Sequence, residues 1–377
     1  MKSEKISEFL QSRIDAQDFP SAVYLIAEKG EVFFTDALGF AVVEPEQIVT
    51  NLETIYDLAS LTKPLVTGLL CAKLIEEGKL KLEDKIIRFF AFFCGEKKSE
   101  ITVRDLLTHT SNLSAWKPLY LITDTRLRSI ILSIIADEPL ENEVLARVTY
   151  SDLNFILLRF LIEDLYGGRQ FDEIAKTEIF EPLNLKNTFF NPPEILLKRL
   201  AASEKGNEYE KRMCVDSGYD VSEYDWRDYK IWGEVHDGNC YFMNGVSGHA
   251  GLFSTVEDTL KIAQQFLAGQ TTLLKPETCQ LFRTNFTEGL NEARSMAFQL
   301  AETKNSTASA ALAKDSFGHL GFTGTSLWLE PESERIYILL TNRTHARALP
   351  FANINPVRKR FHEIAARVLN EKSDSDR

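Results

Sequence analysis

A serine followed three residues later by a lysine, Ser60-Leu61-Thr62-Lys63, sits inside the stretch TIYDLASLTKPLVTGLLCAKLIEEG from Thr54 to Gly78. A serine hydroxyl is a weak nucleophile until something takes its proton, and a close, partly desolvated lysine can take it or help another group to do so. Leu61, Leu65, Leu69, Leu70, Leu74 and Ile75 recur at helical spacing, and Gly78 stands where a left-handed C-terminal residue belongs. Pro64 has no N–H and is harmless only in a first turn, so the spacing predicts a helix starting at about Ser60. The hydroxyl then lies at the positive end of the helix, with Lys63 one turn on along the same face. A serine cap followed by a solvated lysine has the same four letters, so the pair needs company to carry meaning.

Three further segments supply it. In VTYSDLNFILL (Val148–Leu158), Tyr150, Ser151 and Asp152 stand just ahead of an apolar helical run. A phenol, with an ordinary pKa of about 10, can shuttle a proton if a neighbouring cation tunes it, and Lys63 is the obvious cation. In FGHLGFTGTSLWL (Phe317–Leu329), a glycine-rich approach to a strand carries His319, Gly321 and Phe322. In LLTHTSNL (Leu106–Leu113), Asn112 is a residue that enters the left-handed region cheaply. Each has a plainer reading: Tyr150 anchoring a helix start, His319 at the surface, His109 capping the carbonyls of a helix end. His236-Asp237 and His249 offer a serine–histidine–aspartate alternative for Ser60, although Lys63 and Tyr150 already fill the proton-transfer roles. Ser254-Thr255-Val256-Glu257 reads as a capping box, which makes Ser254 structural. No cluster has convincing metal spacing, so neither zinc nor any other cofactor is expected.

Ser60-x-x-Lys63, Tyr150-Ser151-Asp152 and His319-Leu320-Gly321 occur in the order, and at roughly the separations, of the three motifs of penicillin-recognising serine hydrolases. The chain resembles the branch that holds class C β-lactamases, low-molecular-weight DD-peptidases and family VIII carboxylesterases. VHDGN (Val235–Asn239) and GVSGHAGLFST (Gly245–Thr255) fit the same branch, and the resemblance runs from about residue 20 to 345. It implies an α+β, β-lactamase-like fold: an antiparallel sheet flanked by helices plus a mainly helical lobe. It also implies Ser60 as nucleophile, Tyr150 as proton shuttle, and the backbone N–H groups of Ser60 and Phe322 as oxyanion donors. Gly321 would let substrate approach the third-motif strand closely. Asp152 departs from the asparagine of many members, since a carboxylate accepts but cannot donate, and it favours a charged Lys63. Leu320 removes a hydroxyl donor, and His319 in place of lysine weakens an anion site at neutral pH. These departures point away from a potent β-lactamase. The expected activity is an acyl-enzyme hydrolase of small ester, amide or peptide substrates, a carboxylesterase ahead of a DD-carboxypeptidase. A true β-lactamase, or a catalytically weak penicillin-binding or regulatory protein of the same fold, is the alternative.

The elements that must position these groups follow the chain. Residues 3–17 read as an amphipathic helix, and SAVYLIAEKGEVFFTDALGFA as a hairpin about Lys29-Gly30. Two β-type runs, Gly324–Glu330 and Arg335–Asn342, precede a last helix from about Asn355 to Leu369, with the tail EKSDSDR expected to be disordered. Strands at both ends and helices between predict a sheet domain from residues 1–65 and 300–377 and a mainly helical domain from 66–299. The segment 204–238 reads as irregular; its Tyr209, Tyr219, Tyr224, Trp226, Tyr229 and Trp232 either line a pocket or pin an insertion to the surface.

The 377 residues are 44% hydrophobic, enough for one large core or two smaller ones, and carry a formal net charge of −12. That balance argues against nucleic acid and anionic membrane as partners. Neither a signal peptide nor a membrane span is visible, and five cysteines without a C-x-x-C spacing fit reduced thiols. The expectation is a cytoplasmic protein, or a periplasmic or extracellular one if an export signal has been removed.

Overall fold

Strand β1 (Ser21–Glu28) alternates its side chains between two cores. Val23, Leu25 and Ala27 enter one apolar cluster, while Ala22, Tyr24 and Ile26 enter the other, as the two-residue period of a strand requires. In this computed structural model, which describes residues 1–140 and 143–375, β1 lies near the middle of a seven-stranded antiparallel sheet. Its other strands are β2 (Glu31–Val42), β3 (Ile48–Val49), β7 (Gln299–Leu300), β8 (Phe317–Leu320), β9 (Ser326–Glu330) and β10 (Arg335–Thr341), in the order β3-β2-β1-β10-β9-β8-β7. The β1–β10 pairing, with Val23 opposite Leu340 and Leu25 opposite Ile338, joins the two ends of the chain. A second sheet of three short strands has β6 (Leu252–Ser254) between β4 (Tyr56–Asp57) and β5 (Phe189–Phe190).

One face of the large sheet is covered by the terminal helices, Glu4–Asp15 and Asn355–Ser375. Ile6 and Leu10 from the first, and Phe361, Ala365 and Leu369 from the second, form the core beneath Tyr24, Trp328 and Tyr337. The other face packs on the mainly helical middle of the chain, where the helix Asp152–Leu165 is buried along most of its length. An antiparallel sheet flanked by helices is the fold class the motifs implied.

Several local expectations change. The helix predicted from Ser60 is built in three pieces: a 3-10 turn at Ala59–Leu61, a π-wound segment at Lys63–Gly68, and a regular α-helix at Leu69–Glu76. Gly78 takes φ +70°, as its position after the helix demands. A Cβ at Gly68 would come within 2.9 Å of Ala297 Cβ, so the widened turn lies tight against a neighbouring segment. The tail expected to be disordered carries the last helix on to Ser375. The segment 204–238 is not irregular throughout, because Glu208–Asp216 is α-helical with Glu210 and Cys214 buried. The capping residue before the helix Val256–Ala263 is Thr255, whose hydroxyl accepts from Asp258 N, one position later than expected. Ser254 stays structural, bonded to Thr188 Oγ1 at 2.8 Å. Among the described residues no helix is long and apolar enough to cross a membrane.

Candidate active site

Ser60 follows a sharp turn that the sequence builds from short polar side chains. Ala59 is held at φ +48°, a conformation costly for any residue with a Cβ. Its N–H donates to Asp57 Oδ1 at 2.8 Å. The corner between β8 and β9 is tied to the same turn: Thr323 Oγ1 donates to Asp57 O at 2.8 Å and Thr325 Oγ1 to Leu58 O at 3.0 Å. A Cβ on Gly321 would lie 2.0 Å from Thr325 Oγ1 and 2.6 Å from Leu58 O. Gly321 is therefore required by the packing of the third motif onto the serine turn, a reason that stands beside the expected close approach of substrate. Among the described residues, neither the Ser60 N–H nor the Phe322 N–H donates to a protein acceptor. Two free donors on adjoining turns are what an oxyanion needs.

Lys63 is fully buried below Ser60. Its ammonium donates to Ser60 Oγ at 2.9 Å and to His249 O at 3.1 Å. It also lies 2.6 Å from Asp152 Oδ1, an ion pair by distance though not aligned as a hydrogen bond. Burial pushes the ammonium down, but Asp152 first and Tyr150 second push it up by more, and the net lies above the ordinary lysine value. Lys63 is thus a cation at neutral pH, pointing donors at the serine oxygen. Tyr150 closes the other side, its ring centroid 4.9 Å from Lys63 Nζ.

The second motif is fixed from outside. Ser151 N–H donates to His109 Nδ1 at 3.0 Å, Ser151 Oγ donates to Ser114 O at 2.7 Å, and Asp152 N–H to Ala115 O at 2.8 Å. His109 is no helix cap: its ring is buried 4.5 Å from the Tyr150 ring and 5.2 Å from Phe155. Burial first, and the charges of Arg294 and Lys63 next, hold it neutral. His319 is likewise no surface residue. It is 4% exposed, and Nδ1 donates to Leu320 O at 2.9 Å. Burial, then Lys63 and Arg294, hold it well below the usual histidine range. The alternative triad does not form around Ser60. His236 is bonded to Glu204 Oε2 at 2.8 Å, and His249 to Asp237 Oδ1 at 2.9 Å and Ser247 Oγ at 2.8 Å.

Ser60, Tyr150, Asp152, His319, Gly321 and Phe322 line one cavity of about 710 Å³, with Lys63 beneath its floor. Of the six aromatic residues weighed in 204–238, Tyr209 lines it, packed 4.7 Å from Phe322. Tyr224 and Trp226 pack on Tyr120 instead, and Trp232 Nε1 donates to Leu200 O at 2.8 Å. The sequence reading missed the cationic part of the wall. Arg294 is paired with Glu292 and stands 5.6 Å from the Tyr150 ring. Arg343 and Arg358 have no acidic partner among the described residues. Arg358 holds Gly321 O and Thr325 O, and burial together with Arg343 lowers it to about 9. No spacing announces these arginines, which come from three unrelated stretches of chain. Asp152, Asp237 and His249 each place a ligand-type atom within 4.8 Å of the others, and the cation beside them is the Lys63 ammonium.

Comparison with known proteins places the fold and the family. A family model described as Beta-lactamase matches residues 6–355. The chain belongs to the beta-lactamase family. A protein of Salmonella gallinarum named "Putative D-alanyl-D-alanine carboxypeptidase" is 29% identical over 388 residues, spanning 94% of this chain and 85% of that protein. A protein of Escherichia coli K12 with the same name is 28% identical, spanning 91% and 82%. Among solved structures, "EstCE1, a hydrolase with promiscuous acyltransferase activity" superposes with a TM-score of 0.72 at 21% identity, covering 96% of this chain and 98% of that one. A class C beta lactamase superposes with a TM-score of 0.72 at 13% identity, covering 98% and 97%. At those identities the structures speak for the fold alone. The fold and family that the three motifs implied are those of the protein, and members of this family are serine hydrolases.

Proposed function

We propose that this protein cleaves small esters or amides through an acyl-enzyme on Ser60, and that its preferred leaving group carries a carboxylate, as in a D-alanyl-D-alanine carboxypeptidase. The observation that carries the hydrolase reading is the 2.9 Å bond from a buried, charged Lys63 to Ser60 Oγ at the floor of an open cavity. With Lys63 donating to Ser60 Oγ, the Tyr150 oxygen beside the ammonium acts as the general base that takes the proton of Ser60. The Ser60 oxygen attacks the carbonyl carbon, and the negative oxygen that results settles on the N–H groups of Ser60 and Phe322. Tyr150 returns the proton to the leaving oxygen or nitrogen, and water reverses the sequence to release the acid.

Arg294, Arg343 and Arg358 favour a carboxylate-bearing leaving group and offset the loss of anion binding expected from His319 and Leu320. The names of the curated relatives support the same substrate class. A carboxylesterase is the second reading, favoured by the neutral His319 and the apolar Leu320 at the third motif. The test compares release of D-alanine from an N-acyl-D-alanyl-D-alanine peptide with hydrolysis of p-nitrophenyl acetate, in wild type and Ser60→Ala. Loss of both activities in the variant is expected, and full activity in Ser60→Ala overturns the mechanism. An ester turned over while the peptide is left intact moves the assignment to the esterase.

A further inference from the structure

Two phrases that the three motifs do not use, Val235–Asn239 and Gly245–Thr255, meet at Lys63. His249 supplies its carbonyl to the ammonium at 3.1 Å, and its ring is gripped at both nitrogens. Nε2 donates to Asp237 Oδ1 at 2.9 Å, because a carboxylate can only accept, and Ser247 Oγ completes the chain at Nδ1 at 2.8 Å. Asp237 is itself oriented by the Cys240 N–H, 2.7 Å from the same oxygen. The loop is held along its length: Arg159 donates to Val246 O, and Thr67 Oγ1 to Gly248 O at 2.6 Å. Ser247 and His249 are almost wholly buried, so this hydrogen-bonded serine–histidine–aspartate chain cannot reach a substrate as a nucleophile. What it touches is Lys63.

We propose that Asp237 and His249 are positioning residues for Lys63. Their hydrogen-bonded chain fixes the carbonyl that binds the ammonium and adds a second carboxylate near it, keeping Lys63 a donor to Ser60 and not a base toward it. This inference rests on the Ser60 acyl-enzyme reading. A buried ammonium survives only if its charge is met by acceptors and anions. Asp152 supplies the first anion at 2.6 Å. Asp237 supplies the second: burial pushes its carboxyl up, but His249, the Cys240 N–H and Lys63 push it down by more, so it stays ionised. On the opposite side of the site the Glu292 carboxylate is taken by Arg294. His319 and His109 face the site uncharged, and Arg294 faces it as a cation. Among the described residues, Tyr150 is the remaining titratable group in contact with Lys63.

The sign follows. Activity needs Lys63 protonated, so the alkaline limb of the rate profile reports its loss of a proton. Removing an anion near an ammonium lowers the ammonium's pKa and moves that limb to lower pH. The experiment follows the lysine side-chain nitrogen resonance that disappears in Lys63→Arg, and the pH dependence of kcat/KM for p-nitrophenyl acetate. Both are read in wild type, Asp237→Asn, Asp237→Glu and His249→Leu, and Asp152→Asn sets the scale for loss of the nearer charge. In Asp237→Asn both readouts are expected to move down, by less than in Asp152→Asn, which removes the carboxylate 2.6 Å from the ammonium, with Asp237→Glu restoring most of the shift. In His249→Leu the charge remains but the clamp is gone, and the neutral-pH rate is expected to fall by up to about 10²-fold. Unshifted titrations in Asp237→Asn, or a wild-type rate in His249→Leu, overturn the proposal. If Asp237→Asn fails to melt cooperatively, the Asp237→Glu and His249→Leu pair decides the matter on rates. The lysine resonance needs no turnover, so a failure of the acyl-enzyme reading in Ser60→Ala is distinguishable from a failure here.

Discussion

Ser60 receives a hydrogen bond from the very residue that its spacing offers as a base, and that direction of donation assigns the remaining roles. A lysine ringed by the Ser60 oxygen, the His249 carbonyl and the Asp152 carboxylate is held charged. On the acyl-enzyme reading proposed above, the proton then leaves by way of Tyr150. Ser60, Lys63 and Tyr150 were legible as candidates because a hydroxyl, an ammonium and a phenol are recognisable as types, and the structure brings the three together. Arg294 was not, since a lone arginine in NEARSMAF carries no spacing that separates a ligand from a solvated charge. Its role is testable at this scale. Arg294 Nε and Nη2 are taken by Glu292, while its guanidinium borders the cavity beside Tyr150. Arg294→Gln is expected to cost about 1.5–3 kcal/mol of transition-state binding for a carboxylate-bearing peptide, roughly ten- to hundredfold in kcat/KM. The neutral ester p-nitrophenyl acetate should change much less. Parallel losses for both substrates would show that Arg294 acts on Tyr150 and not on the substrate.

The serine turn and the β8–β9 corner function as a pair, and the sequence disclosed each of them better than it disclosed their joint. A glycine-rich approach to a strand suggested room for substrate at Gly321. The structure has Gly321 lining the cavity and adds a second reason for the glycine, since the direction a Cβ would take is filled by Thr325 Oγ1 and the Leu58 carbonyl. Contacts between residues so far apart in sequence leave no trace in local pattern. The helix Glu208–Asp216 escaped for a related reason. EYEKRMCVD buries little beyond Glu210 and Cys214, so its apolar stripe is too thin to show a helical period. Pro64 was read correctly as marking a helix start, but proline alone does not distinguish regular from π winding. Gly321→Ala should force the two turns apart, lowering stability by about 1–3 kcal/mol. It should reduce kcat more than it raises KM, because Phe322 would shift away from the oxyanion. Melting temperature together with steady-state kinetics on the ester checks this. A variant with wild-type kcat would mean that the corner can yield without moving the donor.

At the scale of the whole molecule, buried, neutral histidines on strand β8, on the C-terminal helix and in two connecting segments make stability depend on pH. His362, on the C-terminal helix, is fully buried between Ser326 Oγ and Thr307 O, at 3.2 and 2.7 Å. Burial pushes it down to about 3. His109 and His319 are held well below the ordinary value for the same primary reason, and His345 is also lowered. A histidine with a depressed folded pKa stays neutral in the native state while the unfolded chain protonates near pH 6.5. Its cost is therefore absent above about pH 6.5 and grows as pH falls toward the folded value, at about 1.4 kcal/mol per unit for each such group. Glu210, raised to about 7 by burial and Asp237, works in the opposite sense, as does Asp57. Its native state holds a proton that the unfolded chain has released, which stabilises at low pH and is lost as pH rises through 7. His236, raised by its bond to Glu204, joins the two acids, so four lowered histidines stand against three raised groups and a net loss on acidification is expected, with His362 alone contributing on the order of 2 kcal/mol between pH 7 and 5. Urea unfolding across that range should show the fall. His362→Leu should be less stable at every pH, through the unpaired Ser326 and Thr307 oxygens, but its stability should decline less steeply below pH 6.5, by about one proton's slope. An unchanged slope would mean that His362 titrates alike in both states, and that burial under the C-terminal helix does not keep it neutral.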